Sequence, residues 1–254
     1  MIRISNIHKR YKSNLVLKGV DISINYGCIQ SLLGANGAGK STLIKIIACI
    51  LESDSGELYI DNEKINIDSY GYRKKIGYVF EQPMYIDMLT PYEYLFFVGR
   101  MYNIEKNLLN NRINELLLFL DLHEIDNYIE KLSKGMKSKI SIAAAIIHNP
   151  KYLILDEPFD GLDFLSIQKI TRLFRTLVEK GCTILITSHQ YDVIANLCDK
   201  FALLKNGSIL FNYSFEELEK VAKEYTNESN PVKHYLEKLM DDNPSDKKSL
   251  SWIE

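Results

Sequence analysis

The sequence predicts an α/β fold built on a mostly parallel sheet, and three observations support that prediction. Continuous apolar runs at 151–155 and 182–187 are typical of strands buried in a parallel sheet. A glycine-rich loop joins an apolar strand ending at Leu33 to a helical pattern beginning at Thr42. Helical periodicity occupies about 90–150, between two predicted strands. We therefore expect an α/β core with an N-terminal antiparallel β subdomain and an inserted α-helical subdomain.

Composition places the chain among ordinary globular proteins. Of its 254 residues, 46% are hydrophobic and 25% are charged, which favours neither disorder nor a membrane protein. The net charge of −2 indicates no extended basic surface of the kind that binds the phosphates of nucleic acid, so we expect no nucleic-acid partner. No apolar run approaches the roughly 18 residues that a membrane span requires, so we expect no direct membrane span.

The cysteines and the N-terminus indicate the compartment. The cysteines are widely spaced, and each lies in or beside an apolar segment, as reduced core thiols do. They are Cys28, Cys49, Cys182 and Cys198. Residues 1–5 alternate like a strand and contain no apolar signal-peptide region. These features predict a cytoplasmic protein.

The first 30 residues alternate in the manner of short strands, at 2–4, 15–17 and 20–24. Tyr11 lies in a polar stretch between them. Its ring could stack on a nucleotide base, whereas a lone tyrosine in such a place is more often a half-buried strand residue. The residues by themselves leave both interpretations open.

The stretch 34–42, GANGAGKST, predicts a phosphate-binding loop. Its main-chain N–H groups, freed from side-chain bulk by glycines, can wrap phosphates, and the next helix adds partial positive charge at its N-terminus. Lys40 can reach the β- and γ-phosphates, and the Ser41 hydroxyl is placed to bind Mg²⁺. This Walker A pattern predicts a P-loop NTPase core. The nucleotide-binding residues expected here are Gly34, Asn36, Gly37, Gly39, Lys40, Ser41 and Thr42.

Two further strands end in polar residues, at the edge where ligand crevices open in α/β proteins. One delivers Glu81 and Gln82 to a loop. The other ends in Asp156 and Glu157, which are costly to bury without a partner. Because successive side chains of a strand point to opposite faces, the two carboxylates have different roles. We assign Asp156 to Mg²⁺, through water, and Glu157 to the water that attacks the γ-phosphate.

His189 follows the last buried strand, 182–187. An isolated histidine is most often a surface residue or a satisfied core residue. Here, however, three separate strands would deliver the P-loop, the carboxylate pair and His189 at their carboxyl ends. That convergence favours a role in the site.

Two other regions allow less specific interpretations. Residues 84–102 are rich in aromatic side chains, which fits either core packing or an exposed docking patch. A final hairpin is predicted over 201–213. Beyond it, the charged residues 214–254 predict a peripheral helical tail with helices at 215–225 and 231–240, and disorder over 243–251.

Across about 1–213 the chain closely resembles the ATP-binding subunit of ABC transporters. Leu132-Ser133-Lys134-Gly135-Met136 stands where the family signature, commonly Leu-Ser-Gly-Gly-Gln, is expected. By this resemblance, Ser133 and Gly135 meet the γ-phosphate, and Tyr11 is the adenine-stacking aromatic. The resemblance also makes Asp163 part of the D-loop, 160–163, and His189 the switch histidine. The catalytic residues it implies are Glu157, His189 and Lys40.

The signature departs from the common pattern at Lys134 and Met136. This variant is similar to subunits that energise exporters of the ABC-2 kind, which carry drugs, bacteriocins or antibiotics. At the family's Q-loop position the register places Glu81, with Gln82 one step later. A carboxylate there could also bind Mg²⁺, and the sequence leaves the choice between the two residues open.

The resemblance also implies partners. In this family two ATP-binding domains face each other head to tail, and each ATP lies between the P-loop of one and the signature of the other. We therefore expect a second copy or a homologue, ATP and Mg²⁺ as ligands, and a membrane permease that follows the motion through the cleft near 81–97. The chain would then be peripheral on the cytoplasmic face of the membrane.

Two alternative functions fit the sequence less well. A soluble ABC-type ATPase for assembly, repair or translation often has paired nucleotide domains, coiled-coil arms or basic surfaces, and the sequence indicates none of them. The signature at 132–136 argues against a P-loop kinase. The exporter subunit therefore remains the first hypothesis.

Overall fold

The computed structural model describes residues 1–83, 85–123, 126–226 and 228–240. In chain order the strands are β1 (Ile2–Tyr11), β2 (Asn14–Ile24), β3 (Ile29–Leu33), β4 (Ser55–Ile60), β5 (Glu63–Ile65), β6 (Ile76–Val79), β7 (Tyr152–Asp156), β8 (Thr183–Thr187), β9 (Lys200–Lys205) and β10 (Ser208–Ser214). The α-helices are α1 (Lys40–Ile47), α2 (Tyr70–Arg73), α3 (Pro91–Met101), α4 (Lys106–Phe119), α5 (Lys134–Ile146), α6 (Phe164–Glu179), α7 (Tyr191–Leu197), α8 (Phe215–Tyr225) and α9 (Pro231–Met240).

The larger sheet has the order β10-β9-β3-β8-β7-β6. β3 pairs in parallel with β8 and β9, β7 pairs in parallel with β6 and β8, and β10 alone adds antiparallel. The carboxyl ends of β3, β6, β7 and β8 consequently meet at one edge, which is where α/β proteins bind ligands. The predicted mostly parallel α/β core is confirmed.

The smaller sheet is antiparallel, with the order β2-β1-β4-β5. The three short strands expected over the first 30 residues are, in the structure, the two long strands β1 and β2, joined at a tight turn after Tyr11. That expectation was wrong in length because register shifts after Ile4 and Ile7 break the regular alternation on which it rested. The predicted N-terminal antiparallel subdomain is confirmed.

The larger sheet is buried on both faces. Along β7, Tyr152 and Ile154 belong to one buried cluster, which also contains residues of β1, β2 and α1. Leu153 and Leu155 point the other way, into a cluster formed with the later helices. Burial on both faces explains why this strand is a continuous apolar run rather than an alternating one.

The helices α3, α4 and α5 lie between β6 and β7, over the part of the chain where an inserted helical subdomain was predicted. Thr90 starts α3 with a capping box, in which its side chain accepts from the Glu93 N–H and Glu93 accepts from the Thr90 N–H. Ser133 caps α5 and accepts a hydrogen bond from the Met136 N–H at 3.3 Å. The signature is thus the start of a helix.

The tail helices α8 and α9 bury their apolar faces in the main core. Leu218, Ala222, Val232 and Leu236 belong to the same cluster as β7 and the inserted helices. The Lys205 Nζ also donates to the Leu239 carbonyl at 2.7 Å, which fixes the end of α9 beside β9. Their charges occupy the outer faces, as amphipathic helices require. The disorder expected over 243–251 falls outside the described residues.

All four cysteines are buried and free, as predicted. Within the described ranges, no helix combines the length and the apolar character needed to cross a bilayer.

Candidate nucleotide-binding and hydrolysis site

The P-loop leaves the buried strand β3 and enters α1 through Gly39. This residue has a φ of 106°, in the left-handed region, and a Cβ there would lie 2.9 Å from the Leu17 Cδ2. Only glycine satisfies both conditions without strain. The loop therefore packs against β2 while α1 begins at Lys40, with Ser41 and Thr42 partly exposed in its first turn.

Lys40 supplies the positive charge of the P-loop. Its Nζ donates to the Gly34 carbonyl at 2.7 Å and to the Ala35 carbonyl at 3.2 Å. Burial lowers the pKa of Lys40, and nearby Glu157, Asp156 and Glu81 oppose that shift. One ammonium group is therefore close enough to interact with carboxylates from two different strand ends.

Asp156 is the last residue of β7 and is 2% exposed. The parallel register of β7 and β8 places it beside Thr187, whose Oγ1 donates to the Asp156 Oδ1 at 2.7 Å. The same Thr187 Oγ1 accepts from the Glu157 N–H at 3.1 Å. One hydroxyl thus orients both members of the carboxylate pair.

Glu157 has a φ of 51°, which is unusual for a residue with a long side chain and is the kind of strain found at functional sites. Its Oε2 accepts from the His189 N–H at 3.1 Å, and its Oε1 lies 3.3 Å from the His189 Nε2. That second pair is close in distance but does not have hydrogen-bond geometry. Burial raises the pKa of Glu157, and His189 opposes the shift. The structure thus joins Glu157 and His189.

Glu81 and Gln82 follow β6 and are both exposed. Glu81 is one of the carboxylates that act on the charge of Lys40, and it lines a cavity of about 110 Å³ together with Glu157. Gln82 is not among the residues lining that cavity. This geometry favours Glu81 over Gln82 as the residue that faces the carboxylate pair of Asp156 and Glu157.

The residues expected around Mg²⁺ are Ser41, Asp156 and Glu81. All three offer oxygen donors, the type that Mg²⁺ prefers, and Asp156 is a nearly buried carboxylate at the ligand edge of the sheet. In the described part of the chain, no group of three or more His, Cys, Asp or Glu side chains could hold a metal by itself. A magnesium ion that takes its remaining ligands from phosphate and water needs no such group, so the residues fit.

Tyr11 lies at the tip of the β1–β2 turn, paired with Asn14, and its side chain is 47% exposed. A cavity of about 200 Å³ is lined by Asn14 and Val16 of β2 and by 35–38 of the P-loop, which include Asn36 and Gly37. The turn that carries Tyr11 therefore adjoins the P-loop. An exposed ring in this place can stack on a base.

The signature and the D-loop form a separate region. Gly135 lies in the first turn of α5, and Asp163 caps α6, with its carboxylate accepting from the Ser166 N–H at 2.9 Å and the Ser166 Oγ at 2.8 Å. These hydrogen bonds lower the pKa of Asp163. Among the described residues, no hydrogen bond or ion pair joins Ser133 or Gly135 to the P-loop.

Thr187 and the pair Lys134–Asp160 were not singled out from the sequence. Thr187 ends a buried, β-branched strand, and threonine is common in such strands, so its presence there gives little indication that its hydroxyl orients catalytic groups. Lys134 and Asp160 stand 26 residues apart, and only the fold places the Lys134 Nζ 2.6 Å from the Asp160 Oδ2.

Comparison with known proteins identifies the family. The ABC transporter family model matches residues 17–160. The linearmycin resistance ATP-binding protein LnrL of Bacillus subtilis is 35% identical over 211 residues, which cover 83% of this chain and 68% of LnrL. The bacitracin transport ATP-binding protein BcrA of Bacillus licheniformis is 33% identical, over 89% of this chain and 73% of BcrA. The methionine import ATP-binding protein MetN of Clostridium acetobutylicum is also 33% identical, over 95% and 76%.

A solved structure with the same fold contains a bound nucleotide. It is a dimeric ATP-binding cassette in a post-hydrolysis state, bound to ADP and Pi. It is 30% identical to this chain, superposes with a TM-score of 0.78, and covers 85% of this chain and 99% of its own. With the family match spanning more than half of the sequence, these similarities confirm the resemblance inferred from the motifs. The chain belongs to the ABC transporter family, as one of its ATP-binding, ATP-hydrolysing subunits.

Proposed function

We propose that this chain hydrolyses ATP at the edge formed by Lys40, Asp156, Glu157 and His189, and that it powers a separate membrane permease of an exporter. The observation that carries the proposal is the convergence of those four side chains from the P-loop and from the ends of β7 and β8. The cargo would be a drug, a peptide or another small molecule, as the names of LnrL and BcrA indicate for those proteins.

In the proposed reaction Glu157 orients the water that attacks the γ-phosphate. Its raised pKa brings the carboxylate closer to the operating pH, which suits a general base. His189 holds that carboxylate through its backbone N–H and would lie near the γ-phosphate, while Lys40 would neutralise the developing charge. Mg²⁺, held by Ser41, Asp156 and Glu81, would neutralise charge on the phosphate oxygens.

Lys40 must change partners when nucleotide binds. Its Nζ is now held by the carbonyls of Gly34 and Ala35, so the phosphates would replace these two acceptors. The backbone N–H groups around Gly37 and Gly39 and the first turn of α1, with Ser41 and Thr42, form the rest of the phosphate cradle. Tyr11 would stack on the adenine, and Asn36 would lie beside the bound nucleotide.

We further propose that two copies form the working site, with Ser133, Gly135 and Asp163 of one chain facing the nucleotide on the P-loop of the other. Support comes from the dimeric cassette that holds ADP and Pi, and from the lack of a hydrogen bond or ion pair between the signature and the P-loop among the described residues. Turnover per chain should rise with protein concentration and then saturate, while ATP binding should not. A dilute monomer that hydrolyses ATP at the full rate would contradict the two-copy site.

The permease is proposed to dock in the cleft between the core and the inserted helices. A cavity of about 500 Å³ lies there, lined by Tyr78 and Phe80 of the core and by Tyr94, Val98 and Tyr102 of the insert. Of the aromatic segment 84–102, apart from Met84, which lies outside the described residues, part is buried and part is exposed. The ring of Tyr94 packs on Tyr85 at 5.9 Å, whereas Phe97 is 47% exposed. Both interpretations of that segment therefore apply to different side chains.

Copurification tests this docking. The chain should copurify with an integral membrane protein, and Val98→Asp should abolish that association by placing a charge in the apolar cleft, without changing ATP binding. Leu118→Asp is the control, because Leu118 is 61% exposed on α4 and does not line the cleft. Association with ribosomes or DNA instead of a membrane protein would favour the soluble ABC-type ATPase. Docking would place the chain on the cytoplasmic face of the membrane.

Import is the second candidate, and its support is the similarity to MetN. The direction is measured with the chain and its permease in inside-out vesicles supplied with ATP. Accumulation of an antibiotic or peptide inside the vesicles supports export, because the vesicle lumen corresponds to the cell exterior. ATP-dependent release of a preloaded solute would support import.

A further inference from the structure

The start of α5 is fastened to the D-loop of its own chain at Asp160. The Lys134 Nζ lies 2.6 Å from the Asp160 Oδ2. One turn further along α5, the Ser138 Oγ donates to the Asp160 backbone carbonyl at 2.9 Å. Asp160 is therefore held through both its side chain and its backbone by the helix that carries the signature.

The two backbones approach each other closely at this point. A Cβ on Gly135 would lie 2.6 Å from the Gly161 carbonyl oxygen, which is closer than real Cβ contacts. A Cβ on Gly161 would lie 2.9 Å from the Lys134 Cγ, and the φ of Gly161 is 78°. The aliphatic part of Lys134 thus packs on the D-loop, so the signature turn and the D-loop have little room to slide past each other.

From Asp160 the contacts continue to the catalytic carboxylates. The Asp160 N–H donates to the Glu157 carbonyl at 3.2 Å, which closes the turn after β7. The Glu157 N–H in turn donates to the Thr187 Oγ1, which also holds Asp156. Lys134, Asp160 and Glu157 line the same cavity of about 110 Å³. A chain of packed and hydrogen-bonded groups therefore joins the signature helix to Glu157.

We propose that Lys134 is a positioning residue for ATP hydrolysis. Its ion pair with Asp160 makes the signature end of α5 and the turn that carries Glu157 move as one unit. A shift of the signature turn, as it closes on a facing nucleotide, is then transmitted to Glu157. This inference rests on the proposed two-copy site for its effect on turnover, although the contact itself lies within one chain.

The exposure of the pair argues for this role over a role in folding. The side chains of Lys134 and Asp160 are 69% and 56% exposed, and ion pairs in that position contribute little to folding stability. Loss of the pair should therefore appear in turnover and not in the midpoint of thermal unfolding. A second exposed pair, Lys223–Glu219 on α8, has similar exposure and no connection to the D-loop.

A double-mutant cycle tests the pair. Lys134→Met and Asp160→Asn should each lower the maximal turnover by about threefold to tenfold, the range expected for residues coupled in one network. The Michaelis constant for ATP should stay unchanged, and the double variant should be no slower than either single one. Lys134→Arg should retain turnover. Lys223→Met is the matched control and should match the wild type.

Independent effects would overturn the proposal. If the fold-losses of turnover caused by the two substitutions multiply in the double variant, or if only Lys134→Met lowers turnover, then Lys134 acts elsewhere, for instance directly on a facing phosphate. If neither substitution changes turnover, the pair has no role in the reaction.

Amide hydrogen exchange gives a test that does not require ATP. The amides of Asp160 and Leu162 are hydrogen-bonded within the turn, and Lys134→Met should speed their exchange several-fold. Unchanged exchange would contradict the link between helix and turn even if ATP hydrolysis is normal. A wild-type protein without concentration-dependent turnover would instead count against the proposed two-copy function, while faster exchange in the variant would still support the link.

Discussion

The P-loop edge and the signature turn differ in how much of their chemistry one chain supplies. At the P-loop edge, Lys40 and His189 both oppose the burial that raises the pKa of Glu157, and Glu157 in turn opposes the burial that lowers the pKa of Lys40. At the signature turn, Ser133 is exposed and its hydroxyl caps its own helix. The first region is formed by strand ends that one sheet brings together, whereas the second is a helix start whose Ser133 makes its hydrogen bond within that helix. A reaction that needs both regions requires motion or a second chain.

The largest expected effect belongs to the P-loop edge. Glu157→Gln should lower ATP turnover by roughly 10²- to 10⁴-fold, because an amide cannot act as the general base. ATP binding should remain, since the P-loop and Lys40 are unchanged. Phosphate release and equilibrium ATP binding measure the two effects, with Glu179→Gln, exposed at the end of α6, as the control. Turnover at the wild-type level would remove Glu157 from its assigned role.

A substitution at the signature turn should also lower ATP turnover while leaving ATP binding by the monomer unchanged. Gly135→Ala places a Cβ 2.6 Å from the Gly161 carbonyl oxygen, so the signature turn or the D-loop must move. Displacements of about 1 Å near a reacting centre cost up to about 100-fold in rate, so turnover should fall within that range. The monomer should bind ATP as before, measured by calorimetry.

The matched control for that change is Gly71→Ala. A Cβ at Gly71 meets no atom within 4 Å, and the residue lies in the short helix α2. If Gly135→Ala weakened ATP binding by the monomer as strongly as turnover, the signature turn would belong to the same half-site as the P-loop. The comparison between the two regions would then fail.

A smaller effect is expected from the residue that orients the carboxylates. Thr187→Val removes the hydroxyl that donates to Asp156 and accepts from the Glu157 N–H, and turnover should fall about tenfold. Thr183→Val is a matched control at the other end of β8, where the Thr183 Oγ1 accepts from the Gly27 N–H at 3.1 Å. Both variants should unfold at lower urea concentrations, but only Thr187→Val should lose activity. Equal turnover in the two variants would contradict the role of Thr187.

The smallest expected effect concerns the far end of α5. His148 follows that helix, its Nε2 donates to the Ile76 carbonyl at 3.0 Å, and its ring stacks on Tyr102. Burial lowers the pKa of His148 to about 4, below the ordinary value of about 6.5 for an unfolded chain. Because the unfolded state binds the proton more tightly, this contribution to stability is complete above pH 6.5 and decreases as the pH falls toward 4. Its slope cannot exceed about 1.4 kcal/mol per pH unit.

Urea unfolding at several pH values measures this slope. His148→Phe keeps an aromatic ring on Tyr102 but does not titrate, so its free energy of unfolding should fall less steeply than that of the wild type between pH 6.5 and 4. Equal slopes would show that His148 titrates alike in the folded and unfolded protein. The substitution also leaves the Ile76 carbonyl without its donor, so only the slopes are compared.

Local patterns in the sequence were sufficient for the P-loop, for β7 and for the outline of the fold. Gly39 and Lys40 are adjacent in the chain and their function depends on local backbone geometry, so a motif can report it. The tail helices α8 and α9 were predicted at 215–225 and 231–240, where the structure has them, because the charged, helix-favouring composition of each segment is a local feature. Their burial in the main core was not predicted, since the sequence shows charge on the outer face but not what covers the inner one.

The amino-acid sequence by itself determined which chemistry this chain carries: an ammonium group and glycines after one strand, two carboxylates after another, and a histidine after a third. The tertiary structure alone decided how these groups meet. Parallel register placed Thr187 beside Asp156, the left-handed backbone at Glu157 turned its side chain toward His189, and the packing of α5 on the D-loop paired Lys134 with Asp160. Such contacts join residues far apart in the chain, and no local periodicity encodes them because they depend on how whole elements pack.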